Sequence, residues 1–294
     1  MIDSNPRIGE YMTVCVSVKV HDCLVFAADS ASSLTGVDAT GASTVFNVWD
    51  HGNKVFNLYK GKPIAAMTCG LGNMGHASIG SLAKDFRRII THGIGGDKID
   101  ESNYTVEEIA IRAKEFFEQR YAAITPAPAP DTGFEFWVGG YGSDCDNAEL
   151  WKIQLQSGVM QNPELVADKD NDGHVAWGGQ IGPIARLLLG FDNELGSVLI
   201  AAGLDPAVVD PLLLQVQGRL ETPLVHEAMP VIDAINLADF LVDLTKRYFR
   251  FLPYADIVGG ATDIATVTKH EGFKWIKRKH YYPSELNPQE TDHV

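Results

Sequence analysis

Thr13 and Asp29 stand eight residues to either side of His21. From Thr13 to Val20 the valines 14, 16, 18 and 20 alternate with Thr, Cys, Ser and Lys, the period of a half-buried strand, and a second apolar run, Leu24 to Ala28, follows at once. His21-Asp22 between the runs reads as a tight turn, so the two runs should pair as an antiparallel hairpin. Folded about His21, the hairpin sets Thr13 opposite Asp29, with Cβ atoms roughly 4.5–5.5 Å apart. That register places a hydroxyl and a carboxylate together at one end of a sheet. A slip of one residue would undo it. The same two residues also suit a plain strand start and strand end, so spacing alone leaves both readings open.

Other motifs point to other chemistry. Gly70-Leu-Gly72-Asn-Met-Gly75 matches GxGxxG after one predicted strand and before a helix, the setting of a dinucleotide fingerprint. Against that, this is not the first strand of its sheet, and no clean second strand ends in an acidic residue about twenty positions on. A nucleotide-binding protein built on the Gly70–Gly75 turn is kept as the lesser alternative. Asp168-Lys-Asp170-Asn-Asp172-Gly173 begins like a calcium loop, but its twelfth position is Gly179 rather than Glu, so a solvated turn is the expectation. The nine histidines include no HxxxH or HExxH pattern, and Ser30, Ser32 and Ser33 lack a GxSxG elbow. No metal, no cofactor and no serine triad is implied.

The elements that would position these residues come in blocks. A looser Ser/Thr/Gly-rich segment from Ser30 to about Asn53 precedes two further strands, Lys54 to Tyr59 and Pro63 to Cys69. Ile79, Leu82, Phe86 and Ile89 mark an amphipathic helix over about 76–90. Thr105-Val-Glu-Glu108 is a capping box that opens a second helix. Strands return at 134–141 and 149–155, helical patterns at about 183–204 and 232–250, and strands again at 261–267 and 273–276. Asp205 to Pro230 is an apolar insertion of uncertain form. Strands, helix pair, strands, helices, strands is the order expected of two stacked, mainly antiparallel sheets covered by helices, an α+β fold.

Composition narrows the partners. The 294 residues are 45% hydrophobic and 21% charged, enough for a full core, and the net charge of −14 repels phosphate backbones and anionic lipid. Nucleic acid and membrane are therefore not expected partners. No stretch approaches the ~18 apolar residues of a membrane span, and Met1 to Met12 lacks the apolar core of a signal peptide. Four cysteines without CxxC spacing fit a reducing cytosol, so the sequence predicts a cytoplasmic protein.

Thr13-Val-Cys-Val-Ser-Val-Lys, Leu24-Val-Phe-Ala-Ala-Asp29-Ser, Asn53-Lys54-Val-Phe and Met67-Thr-Cys-Gly70 together resemble the start of catalytic proteasome β subunits and of their bacterial relatives HslV and Anbu. The likeness is clear over 13–90 and returns faintly at Trp177 to Gly182 and at Val258 to Asp263. It implies the N-terminal-nucleophile hydrolase fold, a four-layer αββα sandwich, with threonine-dependent cleavage of peptides or unfolded protein inside a homo-oligomeric ring. Whether an unfoldase feeds that ring is left open. By resemblance Thr13 is the nucleophile, whose freed α-amine takes the proton of its hydroxyl. Lys54 resembles the lysine that tunes it, with Lys19, Lys60 and Lys62 as rivals, and Asp29 the carboxylate that holds the lysine. Gly70 would offer its amide to an oxyanion, while Ser33 and Thr68 would touch substrate.

The sequence also departs from that pattern. The loop from Asp29 to Lys54 is about nine residues longer than usual for the resemblance. Gln180 stands where a serine turn is expected, and Val258 replaces a serine with Asp256 one position late, which leaves Gln180 and Asp256 as supporting residues. An inert or weak ring-forming homologue is therefore the main alternative. The expected layout is an extension or propeptide over 1–12, the hydrolase domain over 13–278 and a polar tail over 279–294.

Overall fold

The computed structural model describes residues 13–37, 43–126, 128, 132–170, 173–253 and 257–279. The predicted extension (1–12), Asp256 and all of the polar tail but its first residue lie outside them. In chain order the strands β1 (Val14–Val20), β2 (Cys23–Ala28), β3 (Ser32–Val37), β4 (Ser43–Trp49), β5 (Val55–Tyr59), β6 (Ile64–Gly70), β7 (Asn73–Met74) and β8 (Ala77–Ser78) come first. Helices α1 (Ile79–His92) and α2 (Val106–Ala122) follow. Next come β9 (Phe134–Gly140), β10 (Glu149–Gln156), β11 (Val159–Met160), β12 (Glu164–Ala167) and β13 (His174–Gly179). Helices α3 (Gly182–Leu188), α4 (Leu195–Ala201), α5 (Pro206–Leu220) and α6 (Val231–Arg250) lead to β14 (Asp263–Thr268) and β15 (Gly272–Lys277).

One sheet runs β13-β1-β2-β14-β15 and the other β11-β10-β9-β6-β5, with β12 also on β10. Every pairing among the described residues is antiparallel. Cys15, Phe26, Met67, Trp137 and Ala265 pack together as one core between the sheets. The outer face of the first sheet, including Val14, Val16 and Val18, packs on Ala238, Leu241 and Val242 of α6. The outer face of the second packs Phe134 and Phe136 against Phe86 of α1 and Phe117 of α2. Each such ring, fully buried, contributes about 1.5–3 kcal/mol. The result is a mixed α/β fold of antiparallel sheets with six helices among the described residues.

Packing on both faces corrects the expectation for β1. Alternation predicts a half-buried strand, yet all seven residues are buried, Lys19 among them. The polar face looks into the space between the sheets, where the Lys19 ammonium donates to the Asp168 carbonyl at 2.6 Å. Register is corrected too. Val20 pairs with Cys23 and Cys15 with Ala28. The turn therefore consists of His21 and Asp22 alone, and Asp29 falls opposite Val14, one residue from the expected register.

The segment 30–53, expected to be loose, forms the β3-β4 ribbon. Ser32–Val37 and Ser43–Trp49 alternate too weakly to announce strands, and Phe46 and Trp49 remain exposed because the ribbon is not part of either main sheet. The insertion of uncertain form contains α5, capped by the Asp205 carboxylate on the Ala207 amide at 2.9 Å, with Pro206 at its first turn. Its internal Pro211, which removes a backbone donor, masks the helical signal. The predicted capping box is present: the Thr105 hydroxyl accepts from the Glu108 amide at 3.0 Å. Asp168 Oδ1 accepts from the Asp170 amide at 2.9 Å, as in a turn, while positions 171 and 172 of the calcium-like run lie outside the described residues.

Candidate active site

Thr13 immediately precedes β1 and is buried, although it lines a cavity of about 340 Å³. Its Oγ1 accepts a hydrogen bond from Lys54 Nζ at 2.6 Å, and the same Nζ donates to Asp29 Oδ1 at 2.7 Å. Threonine and aspartate thus meet through the lysine, which bridges them, rather than by facing each other across the hairpin. The ion pair is enclosed, with side-chain exposures of 8% for Lys54 and 0% for Asp29. Such a pair persists in the interior only where its remaining valences are filled. On the carboxylate they are: Asp29 Oδ1 also accepts from the Val14 amide at 3.1 Å, and Oδ2 from the amides of Ala31 at 3.1 Å and Gly259 at 3.0 Å. Of the rival lysines, Lys19 is committed between the sheets and Lys62 donates to the Glu101 carbonyl on the surface. Lys60 lines a different cavity.

The main chain of Thr13 is fixed as firmly. Gln180 donates its backbone N–H to the Thr13 carbonyl at 2.7 Å, so this residue reaches the site through backbone. Gly179 beside it has φ +82°, and a Cβ there would lie 2.0 Å from the Thr13 carbonyl oxygen. Only glycine permits that approach. Gly179→Ala is therefore expected to destabilise the fold by at least about 2 kcal/mol. Gly61→Ala, at a similar φ with open space around it, costs about 1 kcal/mol. Urea unfolding of the two variants measures the difference.

Gly70, Ser33 and Thr68 line the cavity with Thr13 and Lys54. Gly70 ends β6 at φ +90°, where a Cβ would meet the Gly133 carbonyl at 2.3 Å. Thr68 is tied on three sides. Its N–H donates to the Lys54 carbonyl at 2.9 Å, its hydroxyl to the Glu135 carbonyl at 2.8 Å, and its own carbonyl accepts from the Cys15 thiol at 3.1 Å. It therefore braces the lysine as well as forming wall. Among the described residues the buried Ser33 hydroxyl has no hydrogen-bond partner, which leaves it available to a ligand. Asp256, the other predicted supporting residue, lies outside the described residues.

Some contributors carry no residue-type signal. Gly259 holds Asp29 by its amide, and its carbonyl accepts from Ser30 and Ala31 at 2.9 and 3.0 Å. Val258, where a serine was expected, thus sits in a segment that still engages the carboxylate by backbone. Lys279 Nζ pairs with Asp263 and donates to Ser30 Oγ at 2.6 Å, next to Asp29. Cys69, also on the cavity wall, is the thiol among the side chains there. Burial, contact with Cys15 and the neighbouring Glu135 push its thiol well above the ordinary range, so it stays protonated and weakly nucleophilic. Among the described residues no group of His, Cys, Asp or Glu could hold a metal ion. No helix there is long and apolar enough to cross a membrane.

The Gly70–Gly75 run does not have the geometry of a dinucleotide fingerprint. The β7-β8 ribbon separates β6 from α1, and both neighbours of β6 are antiparallel.

No protein-family profile matches the sequence, and no curated protein sequence matches it. Among solved structures, a mutant of Anbu from Hyphomicrobium sp. strain MC1 superimposes with a TM-score of 0.50 at 14% identity. The match covers 91% of this chain and 86% of that one. At this identity the likeness concerns the fold alone, a distant proteasome-like fold.

Proposed function

Proceeding from that fold, we propose that the chain is a threonine-dependent amide hydrolase acting on peptides or unfolded protein, a subunit of a homo-oligomeric proteasome-like ring in the cytoplasm. The observation that carries the reading is the lysine bridge: a buried ammonium 2.6 Å from a threonine hydroxyl and 2.7 Å from a carboxylate. The helices over the two sheet faces are read as the outer layers of a four-layer αββα domain over 13–278.

In this mechanism Thr13 becomes residue one. Its freed α-amine, with an ordinary pKa of about 7.7–8.0, takes the hydroxyl proton as Oγ1 attacks the substrate carbonyl. The Lys54 ammonium stabilises negative charge growing on Oγ1, and the Gly70 amide serves the oxyanion of the tetrahedral intermediate. The amine then gives its proton to the departing amine of the substrate. Water, deprotonated by the same α-amine, hydrolyses the resulting ester and restores the hydroxyl. Ser33 and Thr68 form the walls against which the peptide lies.

Ring assembly is supported by α5, whose Val208 and Leu214 are 58% and 70% exposed, an apolar surface of the kind that marks an interface. A second reading, an inert ring-forming homologue, is favoured by Gln180 and Val258 at positions where serines were expected. Intact mass of the purified protein discriminates. The hydrolase reading expects a chain beginning Thr13-Val14-Cys15 in a complex many times 32.1 kDa by sedimentation. A large complex of chains that retain Met1 and form no acyl adduct supports the inert reading, and a clean monomer removes the ring.

A further inference from the structure

Behind the Thr13 cavity lies a second one of about 320 Å³, and Asn53 and Lys84 line both. Four cations border it: Lys60 after β5, Lys84 and Arg87 on α1, and Arg278 after β15. The one carboxylate among the described residues that line it, Asp263, is occupied by Lys279 through the ammonium on Oδ2 and the backbone N–H on Oδ1 at 3.1 Å. Among the described residues none of the four cations forms an ion pair. Arg87 donates to the Asn57 carbonyl at 3.2 Å, and the Arg278 guanidinium lies 4.8 Å above the Trp275 ring. Among the described residues the wall of the Thr13 cavity holds Lys84, His51 and the Asp29-paired Lys54, and no carboxylate.

This local excess runs against the composition, in which 38 acidic residues outnumber 24 basic ones. Burial draws Arg87 below the usual guanidinium range. A half-buried cation without a counter-ion is costly until an anion joins it, and guanidinium groups grip carboxylates in a forked, directional way. The cavity also opens between β5 and β15, each the outermost strand of its sheet, a place where an extended chain can lie.

We infer that this basic cavity is a specificity site continuous with the Thr13 centre, and that it receives acidic side chains of an extended peptide. Its link to cleavage rests on the reading of Thr13 as nucleophile; its binding does not. The test uses two short fluorescent peptides, one alternating Ala with Glu and the other Ala with Gln. Binding to the full chain is followed by anisotropy at low salt, with peptide integrity checked by mass spectrometry. The Glu peptide should bind at least about tenfold more tightly, the ratio one charge-assisted contact supplies. That preference should collapse in Arg87→Gln and in the double variant Lys84→Gln/Arg278→Gln, whose two sites are exposed and so keep the fold if Arg87→Gln does not.

Equal affinities, or a preference that survives in folded Arg87→Gln or in the double variant, overturn the inference. So does inorganic phosphate that binds in an Arg87-dependent way while the peptides are not distinguished, since the cavity then serves a free anion. A Glu preference in protein whose Thr13 never forms an acyl adduct supports the basic site and sinks only the nucleophile reading. Acylation of Thr13 without a Glu preference does the reverse.

Discussion

Thr13→Ala is expected to lower amide hydrolysis by about four orders of magnitude or more, because a catalytic unit that loses its nucleophile keeps only binding and oxyanion contributions. An acylating inhibitor that adds its mass to the peptide beginning Thr13-Val14-Cys15 should add nothing to the variant. Stability should change little by comparison. The substitution removes one acceptor of Lys54, worth about 1 kcal/mol, and leaves the ion pair with Asp29 and the bond from Gln180 to the Thr13 carbonyl in place. Urea unfolding beside the activity assay separates the two effects. The nitrogen of Thr13 matters as much as its oxygen, since an amide bonded to Met12 cannot accept the proton. A hydrolytically active chain that retains Met1, or activity that persists in Thr13→Ala, contradicts the mechanism.

Lys54→Ala is expected to act on both function and fold. Loss of the ammonium beside Oγ1 removes a preorganised charge, which costs about 10²–10³ in turnover. It also strands the Asp29 carboxylate at 0% side-chain exposure, and breaking a buried pair from one side costs about 3–5 kcal/mol. The three backbone donors to Asp29 keep the loss toward the lower end. Lys62→Ala, which removes only a surface contact with the Glu101 carbonyl, should leave turnover and stability near their starting values. Activity that survives in folded Lys54→Ala but fails in Lys62→Ala would show that the bridging lysine is not the one that matters.

Legibility in the sequence followed the kind of group involved. The strand pair and the amphipathic helices were visible because apolar periodicity is set by which face a residue buries. Thr13 and Asp29 stood out by their spacing about the hairpin, and Lys54 was nameable only through the resemblance to proteasome β subunits. The hairpin register was missed by one because a two-residue turn places the axis between His21 and Asp22 rather than on His21, and side-chain pattern alone does not choose between them. Full burial of β1 was missed because nothing in Cys15, Ser17 and Lys19 announces a second sheet packed over them. The amides of Gly259 and Gln180 were invisible for a simpler reason: every residue but proline has one. Loss of the expected serines at 180 and 258 consequently said less about the site than it suggested, since backbone atoms of the same segments hold Asp29 and Thr13.

The grip on Thr13 runs through its hydroxyl and its carbonyl, with Asp29 also holding the amide of the next residue. In the proposed maturation, severing the bond to Met12 therefore turns an amide into an amine without asking any of those atoms to move. In that proposal the bonds to the Thr13 hydroxyl and carbonyl stay the same through the cut, and at this residue only the nitrogen changes its functional group. Hydrogen exchange across β1 and β2 should be the same before and after the cut. Control exerted in this way has a clock but no reverse gear: the moment of cleavage can be chosen, and the cut bond is not remade.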